Sequence, residues 1–135
     1  MGVTEDLFRA VVDDTTTPEQ IKALIDAGAD VNAKDNDNVT VLMLAVRFSD
    51  MTGLTTQPET IELLLKAGAD VNAQDKDCRT ALMWAVIDDS NPEVIHILLN
   101  AGADIFAKDN QGKTVLDYAQ DDEVRRLILN KEEPS

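Results

Sequence analysis

The sequence repeats itself at a long and nearly constant interval. The segment Ala-Gly-Ala-Asp occurs three times, beginning at Ala27, Ala67 and Ala101. A second segment keeps the same spacing and begins at Thr40, Thr80 and Thr114. Two markers that share one register indicate an internal repeat, and a period of 30 to 40 residues is typical of solenoid proteins. The repeat therefore predicts one domain built from stacked copies of a small unit.

Each copy has the pattern of two short helices followed by a turn. Leu42 and Ala45 have the i, i+3 spacing of one buried helix face, and Leu82 with Ala85 repeats it. The second helices open alike, with Thr17-Pro18-Glu19, Gln57-Pro58-Glu59 and Asn91-Pro92-Glu93. Proline at the first helical position loses no hydrogen bond, and a nearby glutamate interacts favourably with the helix dipole. We expect the helices to end at the glycines Gly28, Gly68 and Gly102.

These segments resemble the ankyrin-repeat family. The sequence Gly-Ala-Asp-Val-Asn-Ala at 28–33 and 68–73 is similar to the family's most recognisable segment. The resemblance implies an all-α ankyrin-repeat solenoid, in which stacked helix-turn-helix units are joined by β-hairpin-like loops. It divides the single domain 1–135 into an N-terminal cap at about 4–38, a repeat at 39–78 with an insertion at 47–57, a repeat at 79–112, a C-terminal cap at 113–130 and a tail at 131–135.

The chain departs from the family pattern at two places. The usual Thr-Pro-Leu-His start of the first helix keeps its Thr and Leu, but its Pro and His are replaced by Val41 and Met43, Ala81 and Met83, and Val115 and Asp117. Another contact must therefore hold neighbouring hairpins together. The hairpin glycine survives only as Gly112; Asn38 tolerates a positive φ at that position, whereas Cys78 would be strained there.

The charge balance restricts the class of partner. The chain has 12 Lys and Arg residues against 26 Asp and Glu, a formal net charge of −14. Such a surface repels phosphate backbones and anionic lipids, which disfavours direct binding to nucleic acid or membranes. The single cysteine, Cys78, cannot form an internal disulfide. The N-terminal residues show neither the basic region nor the apolar run of a signal peptide, so we expect a cytoplasmic protein.

No motif for catalysis stands out. His96 has no Cys or His neighbour at metal-ligand spacing, and Cys78 has no base near it in sequence. Asp88-Asp89 and Asp121-Asp122-Glu123 lack the alternating pattern of a calcium loop. We therefore predict a protein that is not an enzyme and uses no metal and no cofactor.

Binding to another protein is the function that the resemblance implies, through hairpin tips and the exposed side of the first helices. The residues carried over to this sequence are Asn36, Asp37, Val39, Met43, Arg47, Phe48, Lys76, Asp77, Arg79, Met83, Trp84, Ile87, Asp88, Asn110, Gln111 and Lys113. Trp84 is the strongest candidate because tryptophan is enriched in binding hot spots, although it could instead pack between repeats. We expect a monomer that contacts one partner protein.

Two points stay open at the level of sequence. The acidic charge is consistent with an inhibitor, of the immunity or anti-defence type, that blocks a basic surface of its target, but it could also serve only solubility. The insertion at 47–57 contains Phe48, Met51 and Leu54. It either folds onto its own helices or contacts a partner.

Overall fold

A computed structural model describes residues 2–12, 17–47, 58–88, 92–120 and 122–132. The helices in these ranges are α1 (Val3–Val11), α2 (Pro18–Asp26), α3 (Val41–Arg47), α4 (Pro58–Lys66), α5 (Ala81–Asp88), α6 (Pro92–Asn100), α7 (Val115–Tyr118) and α8 (Asp122–Glu132). The last helix ends two residues later than the predicted cap, so the first two residues of the predicted tail are helical.

The helices form two layers. In the inner layer α1 contacts α3, α3 contacts α5 and α5 contacts α7. In the outer layer α2, α4, α6 and α8 follow one another in the same way. The hairpins of 34–40, 74–80 and 108–114 connect the outer helix of one pair to the inner helix of the next. The described part of the chain contains no strand beyond the single bridge between Lys34 and Thr40, which confirms the all-α repeat fold.

The helix ends follow the predicted signals. The Thr17 hydroxyl accepts a hydrogen bond from the Gln20 N–H at 3.3 Å, and the Gln20 side chain accepts one from the Thr17 N–H at 2.9 Å. This reciprocal pair satisfies two N–H groups that a helix start leaves free. At the opposite end of α2, Gly28 has a φ of 105°, a region open to glycine at little cost. Gly68 and Gly102 close α4 and α6 in the same conformation.

The core is one continuous apolar layer between the two sets of helices. Its largest fully buried side chains are Leu7, Ile21, Leu42, Met43, Ile61, Leu64, Leu82, Met83, Ile95, Leu98, Leu99 and Ile128. Burying one such side chain stabilises the fold by about 1.5–3 kcal/mol. Every unit contributes to this layer, so the N-terminal unit belongs to the same core as the more regular repeats.

Backbone hydrogen bonds join the hairpins where the family's histidine is missing. The Lys76 N–H donates to the Asp37 carbonyl at 3.0 Å, and the Asn110 N–H donates to the Asp77 carbonyl at 2.9 Å. Each bond links one hairpin tip to the next. The contact that the sequence could not name is therefore made by the main chain, and side-chain bonds such as that from Asn110 Nδ2 to the Lys76 carbonyl at 3.3 Å add to it.

Two asparagines add a second set of ties between repeats. The Asn32 amide donates to the Gly68 carbonyl at 3.0 Å and accepts from the Asp70 N–H at 2.7 Å. Asn72 makes the same pair of bonds with Gly102 and Asp104 in the following repeat. These bonds pair polar groups of turns that are otherwise outside any regular structure.

The expected backbone strain at Cys78 is present. Asn38 and Cys78 both have a φ of 63°, and Gly112 has a φ of 76° at the equivalent position. A left-handed conformation costs an ordinary L-residue about 1–2 kcal/mol, and asparagine is one of the residues that tolerates it. The three hairpins thus share one backbone shape although only one retains glycine.

Within the described ranges, no helix has the combination of length and apolar character needed to cross a bilayer.

Candidate partner-binding site

Each hairpin is organised by one aspartate, which we call its hairpin carboxylate. In the third hairpin, Asp109 Oδ1 accepts from the Gln111 N–H at 2.8 Å and from the Lys113 N–H at 3.0 Å. Asp35 and Asp75 make the same two bonds, at 2.8 to 3.0 Å, to the second and fourth residues that follow them. A carboxylate that holds two backbone N–H groups fixes the loop in one conformation.

The second oxygen of the carboxylate distinguishes the hairpins. Asp75 Oδ2 accepts from Trp84 Nε1 at 3.0 Å, and Asp109 Oδ2 accepts from the Tyr118 hydroxyl. The donor lies nine residues after the aspartate in both cases. The equivalent residue in the first hairpin is Leu44, which has no polar hydrogen to offer Asp35. Correspondingly, Asp75 and Asp109 are buried whereas Asp35 is exposed.

Two cations lie against these aromatic rings. The Arg79 guanidinium carbon is 5.1 Å from the centre of the Trp84 ring and 6.0 Å from that of Tyr118. Lys113 Nζ is 5.6 Å from the centre of the Tyr118 ring. Distances within about 6 Å allow cation–π attraction. We call Trp84, Arg79, Tyr118 and Lys113 the cation–aromatic row; it runs from α5 across two hairpins to α7.

The carboxylate beneath the row is held in its charged form. Burial alone would raise the pKa of Asp109, but the bonds from Tyr118, Lys113 and Gln111, with the nearby charge of Arg79, hold that pKa below its usual range. The hydrogen bond to Asp109 in turn raises the pKa of Tyr118 above that of a free tyrosine. At neutral pH the pair is therefore an ionised carboxylate that accepts from a neutral phenol.

Most of the predicted binding residues reach the surface. Asn36, Asp37, Lys76, Ile87, Asn110, Gln111 and Lys113 are exposed, and Asp77, Arg79 and Trp84 are partly buried. Trp84 also packs against the core, which agrees with the packing alternative considered for it.

For three of the predicted contact residues, the prediction of a surface position is wrong. Met43 and Met83 are each 1% exposed, and Val39 is 7% exposed. The two methionines occupy the third position of α3 and α5, and that side of the helix packs into the interior of the stack. Both methionines fill the core.

Some predicted positions lie outside the described residues. Phe48 and the rest of the predicted insertion through residue 57 belong to this group, and so do the side chains of Arg47 and Asp88.

Sequence reasoning missed three residues of the site, Asp75, Asp109 and Tyr118. A signal was present in the sequence, because an aspartate precedes an aromatic residue by nine positions at Asp75 and Trp84 and again at Asp109 and Tyr118. This spacing crosses from a hairpin to the next helix, so neither helical nor strand periodicity reveals it.

The hairpins differ from the remaining chain in charge. Residues 34–40, 74–80 and 108–114 together contain five Lys or Arg and five Asp, and therefore have no net charge. All other segments together contain seven basic and 21 acidic residues. The acidic excess of the protein thus lies away from its hairpins.

Among the described residues, no group of three or more His, Cys, Asp or Glu side chains is arranged to hold a metal ion. A shallow groove of about 300 Å³ lies between the outer helices α2 and α4, lined by residues that include Lys22, Glu62 and Lys66. Its walls carry charges of both signs.

The hairpin geometry and the two helical layers agree with a comparison against known families. The model for ankyrin repeats (3 copies) matches residues 52–135, more than half of the 135-residue chain. The chain belongs to the ankyrin-repeat family. Ankyrin repeats are generally protein–protein interaction modules, and the family is typically non-catalytic. No curated protein matches the chain. Asp35 makes the same two backbone bonds as Asp75 and Asp109, so this hairpin structure also occurs before the matched region.

Proposed function

We propose that this ankyrin-repeat protein is a non-catalytic binding module whose partner protein contacts the hairpin face. This face consists of the hairpins 34–40, 74–80 and 108–114 with the exposed side of α5 and α7. The observation that carries the proposal is the cation–aromatic row, which places tryptophan, tyrosine and arginine side chains together at the surface. Tryptophan, tyrosine and arginine are the residue types most enriched in binding hot spots.

The row is already ordered before any partner arrives. Trp84 is fixed by its bond to Asp75, and Tyr118 by its bond to Asp109. Immobilising a flexible side chain on binding costs about 0.5–1.5 kcal/mol, and side chains held in advance avoid much of this cost. A rigid aromatic surface is therefore better suited to recognition than the same residues on free loops.

The hairpin charges do not favour the acidic-inhibitor alternative at this face. An inhibitor that blocks a basic surface needs an excess of carboxylates where it makes contact. The hairpins have as many cations as carboxylates, so an inhibitor of this kind would have to use another surface. We therefore place the partner on the hairpin face without requiring it to be basic.

The proposal can be tested with two variants of equal charge change. Asn36→Glu combined with Gln111→Glu adds two negative charges to hairpin tips, where both side chains are exposed. Lys66→Glu changes the net charge by the same amount in the outer groove. Each protein is used as bait in a native host lysate, and the retained proteins are identified by mass spectrometry.

We expect one protein to be retained by wild type and by Lys66→Glu and lost from the hairpin variant. Retention by the hairpin variant with loss from Lys66→Glu would move the binding site to the outer helices and overturn the proposal. Retention by both variants would leave the segment 48–57 as the binding site and would overturn it equally.

We also propose that the protein acts as a monomer in the cytoplasm. Charged and exposed side chains such as Asp6, Arg9 and Arg126 lie in the terminal units and oppose stacking of two copies end to end. The free thiol of Cys78 is consistent with a reducing compartment. Light scattering should give the mass of one chain, and a mass of two chains at low concentration would contradict this.

A further inference from the structure

We infer that the partner presents a carboxylate to Arg79 and Lys113, so that the segment it docks on the hairpin face is an acidic peptide. This inference rests on the proposed binding function and adds the chemistry of the partner. The inferred segment is acidic, whereas the net charge of the whole chain would by itself favour a basic partner.

From the core outward, the carboxylates of the hairpins come first and the cations of the row come second. Asp75 and Asp109 lie beneath the row, and the Asp109 side chain is only 1% exposed. Their negative charge is taken up by hydrogen bonds from backbone N–H groups and from the two aromatic donors. The Arg79 side chain is 25% exposed, and Lys113 is exposed. An approaching segment therefore meets the cations before the carboxylates.

The positive charge of Arg79 is only partly compensated inside the protein. Its nearest carboxylate oxygen, Asp109 Oδ2, is 3.8 Å from Arg79 Nε and already accepts the Tyr118 hydroxyl. At 3.8 Å this is an ion pair and not a hydrogen bond, and the buried Arg79 Nε makes no hydrogen bond to the described residues. A guanidinium carries five N–H donors in a fixed plane and binds carboxylates by paired hydrogen bonds.

The exposed acid of the first hairpin is already paired, because Asp37 forms an ion pair with Lys76 at 3.3 Å. Asp77 of the second hairpin is partly buried. The third hairpin, 108–114, contains two lysines and one aspartate, and that aspartate is the buried Asp109. A basic segment lying on this part of the face would bring like charges together, which disfavours it. An acidic segment would find Arg79 held between two rings and Lys113 beside it.

The test is a selection of peptides from a random display library. Wild type is compared with Arg79→Met, which keeps an apolar stem between the rings and removes the charge. Arg126→Met is the matched control, because it makes the same substitution at an exposed position of α8 in the outer layer. Lys113→Met is a second test variant, since the Lys113 side chain is exposed and the bond that Lys113 donates to Asp109 comes from its backbone N–H. Thermal unfolding by circular dichroism checks that each variant is folded.

We expect wild type and Arg126→Met to select peptides enriched in Asp and Glu. Synthetic copies of these peptides should change the fluorescence of Trp84, the single tryptophan of the chain. Arg79→Met should weaken their binding about tenfold or more, and Lys113→Met by a smaller factor. If Arg79→Met does not fold, the loss measured for Lys113→Met decides the outcome.

Two results of the peptide selection itself would overturn the inference and leave the proposed function standing. One is selection of basic or uncharged peptides by wild type. The other is an empty selection while the host partner still depends on Asn36 and Gln111. Retention of the host partner by the hairpin variant would instead remove the proposed function, and unchanged peptide affinity in both Arg79→Met and Lys113→Met would remove the inference alone.

Discussion

The first and third hairpins have the same backbone and different surfaces. Asp35 and Asp109 each hold two N–H groups at 2.8 to 3.0 Å, and each hairpin has a positive φ at its tip. Only Asp109 has a second donor, the Tyr118 hydroxyl, and only Asp109 is buried. In the first hairpin Leu44 takes the place of the donor and the carboxylate stays in water.

One oxygen of the hairpin carboxylate fixes the loop, and the other contributes to the candidate site. The bonds of Oδ1 are common to all three hairpins and are therefore structural. The bonds of Oδ2 occur only where an aromatic donor is present, at Trp84 and Tyr118. Those two bonds bring the rings against the hairpins and so create a place for Arg79 between them.

The largest effect should come from removing the buried carboxylate. Asp109→Ala leaves two N–H groups, the Tyr118 hydroxyl and Arg79 without their shared acceptor, so we expect the free energy of unfolding to fall by about 3 kcal/mol. Asp35→Ala removes only the two N–H bonds at an exposed site and should cost about 1 kcal/mol. Urea unfolding followed by circular dichroism measures both. Equal losses would show that the aromatic donor contributes nothing.

A smaller loss in the free energy of unfolding is expected when the donor of the second hairpin is replaced by the residue found at the first. Trp84→Leu copies Leu44 and removes both the bond to Asp75 and the contact with Arg79, at a cost of about 2 kcal/mol. A double-mutant cycle with Asp75→Asn should give a coupling above about 0.5 kcal/mol, because the two side chains interact directly. Additive losses would contradict the bond at 3.0 Å.

The comparison also predicts a dependence on pH. The pKa of Asp109 is lowered on folding, so its contribution to stability is present above the pKa of an unfolded aspartate and is lost as the pH falls through the folded pKa. The stability difference between wild type and Asp109→Asn should therefore narrow in acid.

The raised pKa of Tyr118 acts in the opposite direction. Its contribution is complete below the pKa of an unfolded tyrosine and is lost as the pH rises through the folded pKa. The difference between wild type and Tyr118→Phe should accordingly shrink in alkali. Denaturant titrations at several pH values measure both trends, and a constant difference in either series would contradict the corresponding assignment.

The smallest effect concerns the hairpin tips. Cys78→Gly relieves a left-handed conformation that costs an ordinary side chain about 1–2 kcal/mol, less the greater flexibility of glycine in the unfolded chain, so we expect a gain of about 0.5–1 kcal/mol. Asn38→Gly should gain less, because asparagine tolerates this conformation. Thermal unfolding compares the two, and a larger gain at Asn38 would be evidence against strain at Cys78.

The fold could be predicted almost completely from the sequence. The repeated Ala-Gly-Ala-Asp segments gave the number and order of the units, and the glycines at 28, 68 and 102 marked helix ends that the structure confirms. These signals are local, because a helix cap or a left-handed glycine is specified by a few adjacent residues. The N-terminal unit followed from the same spacing although the family model begins at residue 52.

The site could be predicted only in part. Arg79 and Trp84 were predicted from their positions in the repeat and are partly exposed, whereas Met43 and Met83 were predicted at the surface and are buried. Which side of a seven- or eight-residue inner helix faces the core depends on how the outer layer and the neighbouring repeats cover it. A short apolar helix such as α5 is apolar on nearly every side, so its sequence does not distinguish those sides.

The sequence by itself determined the repeat, the helix ends and the left-handed hairpin tips, because each depends on neighbouring residues and their backbone preferences. Only the tertiary structure decided that Trp84 and Tyr118 donate to carboxylates nine residues earlier and that Arg79 lies between their rings. Those contacts form when separate repeats pack side by side. Their physical basis is the pairing of polar groups that packing removes from water, which requires donor and acceptor to meet across repeats.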